Sequence, residues 1–242
     1  MRALLKDKRN VVVILFGLLF LIKIPQEGLR FVLWVLGGVA FSSALDFLIN
    51  KRPFENTILP KSAVISGFIL SGILDYRQPW FILVIFSALA IFSKYIIRFK
   101  GRHIFNPANF GLFAAAVLKM PLTWNIESQI PLIIISGIYL AYSLKKIFHV
   151  AGFLTFFIAL FSIGGINPFG MVSWFFIFIM LIEPKTSGYG AGRGFVFGTI
   201  AAISSFLAYK FLPSVDYFVT GLFIANLSNP ILDSLYYSSL EQ

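Results

Sequence analysis

The residues able to do chemistry fall in three short stretches set among long apolar runs. The first, from Gly101 to Gly111, contains Phe105-Asn106-Pro107-Ala108-Asn109. Asn106 suits the capping position and Pro107 the first turn of a helix, whose free N–H groups then face an anionic or carbonyl-bearing group. The same residues serve equally well as the cap of a re-entrant helix with no ligand. The second stretch, Glu183-Pro184-Lys185-Thr186-Ser187-Gly188, follows an apolar run that ends at Ile182. A carboxylate at membrane depth is a functional-site candidate, and one at the edge can also snorkel or pair with Lys185 or Arg193. The glycines that follow have no Walker or Rossmann spacing and no preceding strand, which argues against a nucleotide-binding loop. The third stretch sets Asn226, Asn229 and Asp233 in the last apolar segment, with Asn229-Pro230 expected to interrupt it. An amide buried in lipid must find backbone or a ligand, and helix-to-helix bonding is its commoner use.

Other chemistry is excluded. There is no Cys, hence no thiolate metal site, iron–sulfur cluster or disulfide, and any redox step needs a non-thiolate cofactor. His103 and His149 assemble no triad or zinc spacing, so hydrolysis is not supported. His103, beside Arg98, Lys100 and Arg102, reads as an interfacial residue rather than a metal ligand. Asp46, Asp75 and Asp233 fall at segment ends, where water reaches them, and capping or loop pairing accounts for them.

The elements that position these stretches are hydrophobic helices. Only 12% of the 242 residues are charged and 58% are hydrophobic, with 29 Phe, whereas a soluble domain carries roughly 25% charged residues. Mean hydropathy is +0.87. The composition predicts an all-α integral membrane protein, a single transmembrane domain over 1–242. About ten segments approach the length that crosses a bilayer or half of one: Val11 to Ile24, Phe31 to Ile49, Ser62 to Leu74, Trp80 to Ile97, Asn106 to Leu118, Ile130 to Leu144, Val150 to Ile163, Phe169 to Ile182, Gly194 to Leu212 and Tyr217 to Leu235. The N-terminus, with Arg2, Lys6, Lys8 and Arg9 ahead of its apolar run, lacks a small-residue cleavage site and is expected to be a retained helix. With the N-terminus inside, only Lys23, Arg30, Arg77, Lys119 and Lys210 of the 20 Lys and Arg residues fall outside. That bias places both termini in the cytoplasm of a multi-pass plasma-membrane protein. The net charge of +10 is spread between apolar runs and forms no nucleic-acid patch.

Ser66-Gly67 recurs as Ser187-Gly188, and Asn106-Pro107 as Asn229-Pro230, at nearly the same offset. Two halves, 11–120 and 130–235, with an odd number of segments each, would enter the membrane with opposite polarity. This is the inverted-repeat design, in which the site lies near the midplane.

Taken in order, Ser62 to Leu70, Phe105-Asn106-Pro107-Ala108, Glu183-Pro184 with Thr186 and Ser187, and Ala225-Asn226-Leu227 with Pro230 and Asp233 resemble the NqrB/RnfD family. Its members are the flavin-carrying membrane subunits of the sodium-translocating NADH:quinone oxidoreductase and of the Rnf electron transport complex. The resemblance implies a flavin-binding membrane subunit, rather than a free-standing enzyme, that passes electrons and is coupled to ion movement. Its implied partners are membrane lipid, other electron-transport subunits or a flavoprotein, and quinone. It implies FMN or riboflavin, with Asn106, Pro107, Thr186, Ser187 and Asn226 as cofactor contacts. The family's flavin-bearing Gly–Glu–Thr–Ser stretch corresponds to Ile126-Glu127-Ser128-Gln129, making Ser128 the candidate acceptor hydroxyl in a degraded motif. The family is also similar in fold to urea-transporter-like inverted repeats, so a transporter or channel for a small polar solute is the alternative.

Overall fold

The computed structural model describes residues 7–50, 60–188 and 190–238, without the side chains of Asp233 and of 235–238. Arg2, Lys6, Lys51 and Arg52 of the topology count lie outside the described residues, as does the Asp233 carboxylate. The described chain is helical apart from one two-residue-per-strand hairpin. Its order is α1 (Lys8–Asn50), α2 (Lys61–Ile73), α3 (Trp80–Ile96), β1 (Arg98–Phe99), β2 (Arg102–His103), α4 (Pro107–Val117), α5 (Ile130–Ser143), α6 (Ile147–Ile163), a 3-10 turn (Pro168–Gly170), a π turn (Phe176–Met180), α7 (Ala191–Phe211) and α8 (Tyr217–Ser238).

A straight helix as long as α1 would extend about 64 Å at 1.5 Å per residue. Instead Asp7 and Arg9 at one end and Asp46 and Asn50 at the other line one cavity. The chain reverses at Gly28, where φ is +76° and ψ is −173°, a conformation reserved for glycine. Phe20 and Phe31 then meet across the turn, ring centroids 5.6 Å apart. Two arms result, matching the first and second apolar runs of the sequence. Helices α1 and α7 are long and apolar enough to span a membrane, and the remaining helices are shorter and apolar.

Helices α6 and α7 run side by side in the same direction. Gly198 packs on the His149 carbonyl near one end, and Phe161 meets Phe206 and Tyr209 near the other. Parallel neighbours need a chain that crosses back between them, and residues 173–182 do so as a short rod buried on all sides, Phe175 to Ile182 inclusive. Its first turn ends inside apolar surroundings and is capped from outside its own segment: Trp174 N and Phe175 N donate to Glu127 Oε1 at 2.6 and 3.2 Å. Ser173 Oγ accepts from Phe176 N. Asp216 caps α8 in the same way, accepting from Val219 N at 2.9 Å and from the Trp124 indole at 2.8 Å.

Three expectations are corrected. The last helix is not interrupted: α8 continues through Pro230, and beside it Asn229 donates to the Thr186 carbonyl and Ser228 to Ala225 O. Asp46 is not an open segment-end side chain. It is buried and holds Lys94 at 2.6 Å and Tyr95 Oη at 2.7 Å, joining the second arm of α1 to α3. His103 is not an interfacial side chain but is 6% exposed, folded inward by the β1–β2 hairpin.

Gly28→Val should lower thermal stability by about 1–3 kcal/mol, since a β-branched residue cannot hold that backbone without strain. Gly17→Ala, at a helical position with open space around it, should stabilise by up to about 1 kcal/mol. Melting curves of the two variants in detergent test the reversal: equal shifts would mean an unbroken helix.

Candidate functional site

The three polar stretches meet. Asn106 caps α4 through Oδ1, which accepts from Asn109 N at 3.1 Å. Its Nδ2 reaches the Met180 carbonyl at the end of the buried rod, 3.4 Å away. With its amide turned to satisfy both neighbours, Asn226 donates to Thr186 O at 3.1 Å and accepts from Asn106 N at 3.1 Å. Asn229 also donates to Thr186 O. Asn109, fully buried, donates to Val219 O at 3.0 Å across a sequence separation of 110 residues. Four amides thus stitch α4, α8 and the loop after Ile182 into one polar knot within an apolar body. Leaving any such group unpaired costs about 1–3 kcal/mol.

Of the residues that sequence reasoning put at the site, Asn106, Pro107, Thr186, Ser187 and Asn226 are brought together and buried. Most of their polar atoms serve the protein itself. Thr186 Oγ1 donates to Glu183 Oε2 at 2.9 Å, and Ser187 Oγ to the Glu183 carbonyl at 2.7 Å. Ser128 lies elsewhere, next to Glu127 and so near the capped start of the rod. Its Oγ is buried with no hydrogen-bond partner and lines neither of the cavities described below.

Beside the knot opens a cavity of about 490 Å³, inside the usual range for small-molecule sites. Its walls are Ile65 and Ile69 of α2, Leu140 and Leu144 of α5, and Phe178, Ile179 and Ile182 of the rod. Asn106, Ser62, Ser66 and Glu183 are its polar points, and Asp7, Lys8 and Arg9 stand at its mouth. This apolar chamber with a few convergent polar groups fits a planar ring with polar edges held without a covalent bond. A second cavity, of about 520 Å³, adjoins it and shares Asp7, Arg9, Ser62 and Lys185 in its lining.

Sequence reasoning missed Lys146 and His149, both fully buried against the far side of the loop. Lys146 Nζ donates to Gly188 O, and His149 Nε2 donates to Ser187 O. The signal was the Lys-x-x-His spacing at the start of α6, which puts both side chains on one helix face. Burial, reinforced by the nearby Arg193 charge, pushes the Lys146 ammonium from 10.5 down to about 8, while Glu183 pulls the other way.

The fold and site define an all-α protein, two of whose helices are long and apolar enough to cross a membrane, with helix ends gathered beside a chamber. The RnfD component of the ion-translocating oxidoreductase complex of Psychromonas ingrahamii is 34% identical over 82 residues, covering 34% of this chain and 23% of that protein. The protein of the same description from Vibrio atlanticus is 31% identical over 98 residues, covering 38% and 27%. The match spans about a quarter of the length of these curated relatives. No family model matches the chain. The two likenesses support the family resemblance read from the motifs.

Asn226→Ala should destabilise the protein by about 1–3 kcal/mol, because the buried Asn106 N–H loses its acceptor while Thr186 O keeps only the Asn229 donor. Asn229→Ala, which leaves Thr186 O one donor, should cost less than half of that. Lys146 titrates lower in the folded chain than in the unfolded one, so the unfolded state binds more protons between pH 8 and 10.5 and stability rises with pH across that window. Lys146→Met should flatten that part of the Tm–pH curve. An unchanged slope would mean the ammonium is solvated.

Proposed function

We propose that the chain is a membrane subunit of an electron-transfer complex of the ion-translocating oxidoreductase kind, and that its apolar chamber holds a flavin non-covalently. The observation that carries the reading is the chamber itself: isoleucine, leucine and phenylalanine walls closed at one end by the amide knot and Glu183. The named relatives supply the class of complex. A bound flavin, FMN or riboflavin, would supply one- and two-electron chemistry, and the protein's part is to bind and tune it. Ile65, Leu140 and Ile179 would sandwich the ring and exclude water. Asn106 Nδ2, already near Met180 O, and the Ser62 and Ser66 hydroxyls would meet its polar edge, while Thr186, Ser187 and Asn226 position the wall rather than touch the ring.

In this reading residues 1–242 form one transmembrane domain crossing about ten times, with both termini cytoplasmic. The halves 11–120 and 130–235 have opposite polarity, a design supported by the meeting of the fifth and tenth segments at Asn106 and Asn226. Other subunits or a flavoprotein deliver the electrons, quinone or a further cofactor takes them, and ion movement is coupled to the transfer.

The test is the visible absorption spectrum of the full chain purified after expression with an ample flavin supply. We expect a yellow protein that releases its colour on denaturation, loses it in Ile65→Trp, and keeps it in Ser128→Ala. A folded, colourless wild-type protein would sink the flavin reading, and solute uptake by proteoliposomes made from it would establish the transporter instead.

A further inference from the structure

The second cavity has a chemistry of its own. Among the described residues, five cationic side chains, Arg9, Lys61, Lys94, Arg98 and Lys185, line it against two carboxylates, Asp7 and Asp46. Both carboxylates are engaged. Asp7 accepts from Lys61 at 2.9 Å and from Arg9 at 3.1 Å, which holds its carboxyl well below the usual range, and Asp46 accepts from Lys94 and Tyr95. Neither Arg98 nor Lys185 meets a carboxylate among the described residues, so the described lining of this recess carries a surplus of positive charge. A concave site with an excess of one sign of charge focuses the field on whatever enters it.

A second observation points to a ligand. His103 lines the same cavity, is 6% exposed, and leaves Nε2 buried without a hydrogen-bond partner. The nearest acid, Glu183 Oε1, stands 3.8 Å away, beyond hydrogen-bond reach. A buried ring nitrogen left without a hydrogen bond costs about 1–3 kcal/mol unless something completes it. Its neighbours Arg98 and Lys185 are cations that an acceptor-rich anion would satisfy together with it.

We infer that this vestibule is an anion site for a phosphomonoester or diphosphate group. Guanidinium and ammonium groups around a buried donor match the several acceptor oxygens of such an anion. The cavity volume of about 520 Å³ suits a small group, whereas docking of a protein surface needs about 800 Å² per partner. The group arrives either as a soluble phosphate compound or as the headgroup of an anionic lipid.

The experiment titrates inorganic pyrophosphate into the full chain, held in nanodiscs of zwitterionic lipid, by calorimetry. Saturable binding that weakens with added salt is expected. The Arg98→Gln, Lys185→Gln double variant should weaken it by about tenfold or more, and His103→Leu by a similar factor. Lys210→Gln, at the opposite end of the molecule, is the control and should bind as wild type. The titration is run on flavin-free protein, which separates failure of this site from failure of the flavin reading. If nanodiscs containing anionic phospholipid suppress pyrophosphate binding, and the double variant does not show that suppression, the headgroup is the source. If anionic lipid has no effect, a soluble phosphate is. Absence of saturable binding in zwitterionic nanodiscs, or equal affinity in the folded double variant, overturns the proposal.

Discussion

Helix ends inside an apolar body are the constraint on which the rest of this structure depends. A helix leaves unpaired N–H groups at its start and carbonyls at its finish, and hydrocarbon offers neither partner. The chain stops several helices short of its surfaces, and each interior end is answered by a side chain from a distant segment. Asn106 caps α4 and reaches the last carbonyls of the buried rod; Glu127 caps the start of that rod; Asn226 takes the spare Asn106 N–H and supplies a donor to Thr186 O. Remove these answers and the short helices have no reason to end where they do.

That constraint also sorts structural polar residues from those free to act. The hydroxyls of Thr186 and Ser187 turn back onto Glu183, and Asn109 and Asn226 are spent on backbone. What faces the chamber is mainly hydrocarbon with Asn106, two serines and Glu183 at its margins. Glu183 occupies a junction. One carboxylate oxygen holds Thr186, the other lies nearest His103, and its side chain lines the chamber while His103 lines the vestibule. A change in either cavity is therefore felt at the loop that Lys146 and His149 grip from behind.

The motif around Glu127 shows how the same residues carry different weight in two descriptions. By resemblance, its importance rests on the neighbouring hydroxyl of Ser128. In the fold the carboxylate matters more, because it makes two N–H bonds that start the central rod, while the hydroxyl is enclosed. Buried pairs such as Asp46–Lys94 follow the same logic: the charges are kept because each is held by the other and by Tyr95, and removing one alone would strand its partner at a cost of about 3–5 kcal/mol.

The sequence by itself determined the helical class, the limits of most apolar segments to within about three residues, and the three polar stretches from which the site is made; the eighth segment, Phe169 to Ile182, is instead a 3-10 turn followed by helical structure from Trp174. These are local properties, written in runs of hydrophobic residues and in the Asn-Pro and Gly punctuation between them. Tertiary structure alone decided which amide answers which helix end, that His103 and Asp46 turn inward, that Pro230 lies within an unbroken helix, and that Lys146 and His149 back the loop after Ile182. Each of those outcomes depends on a partner on another segment, often a hundred residues away. A side chain's burial and its bonds are fixed by what packs over it, and no periodicity in the chain records that.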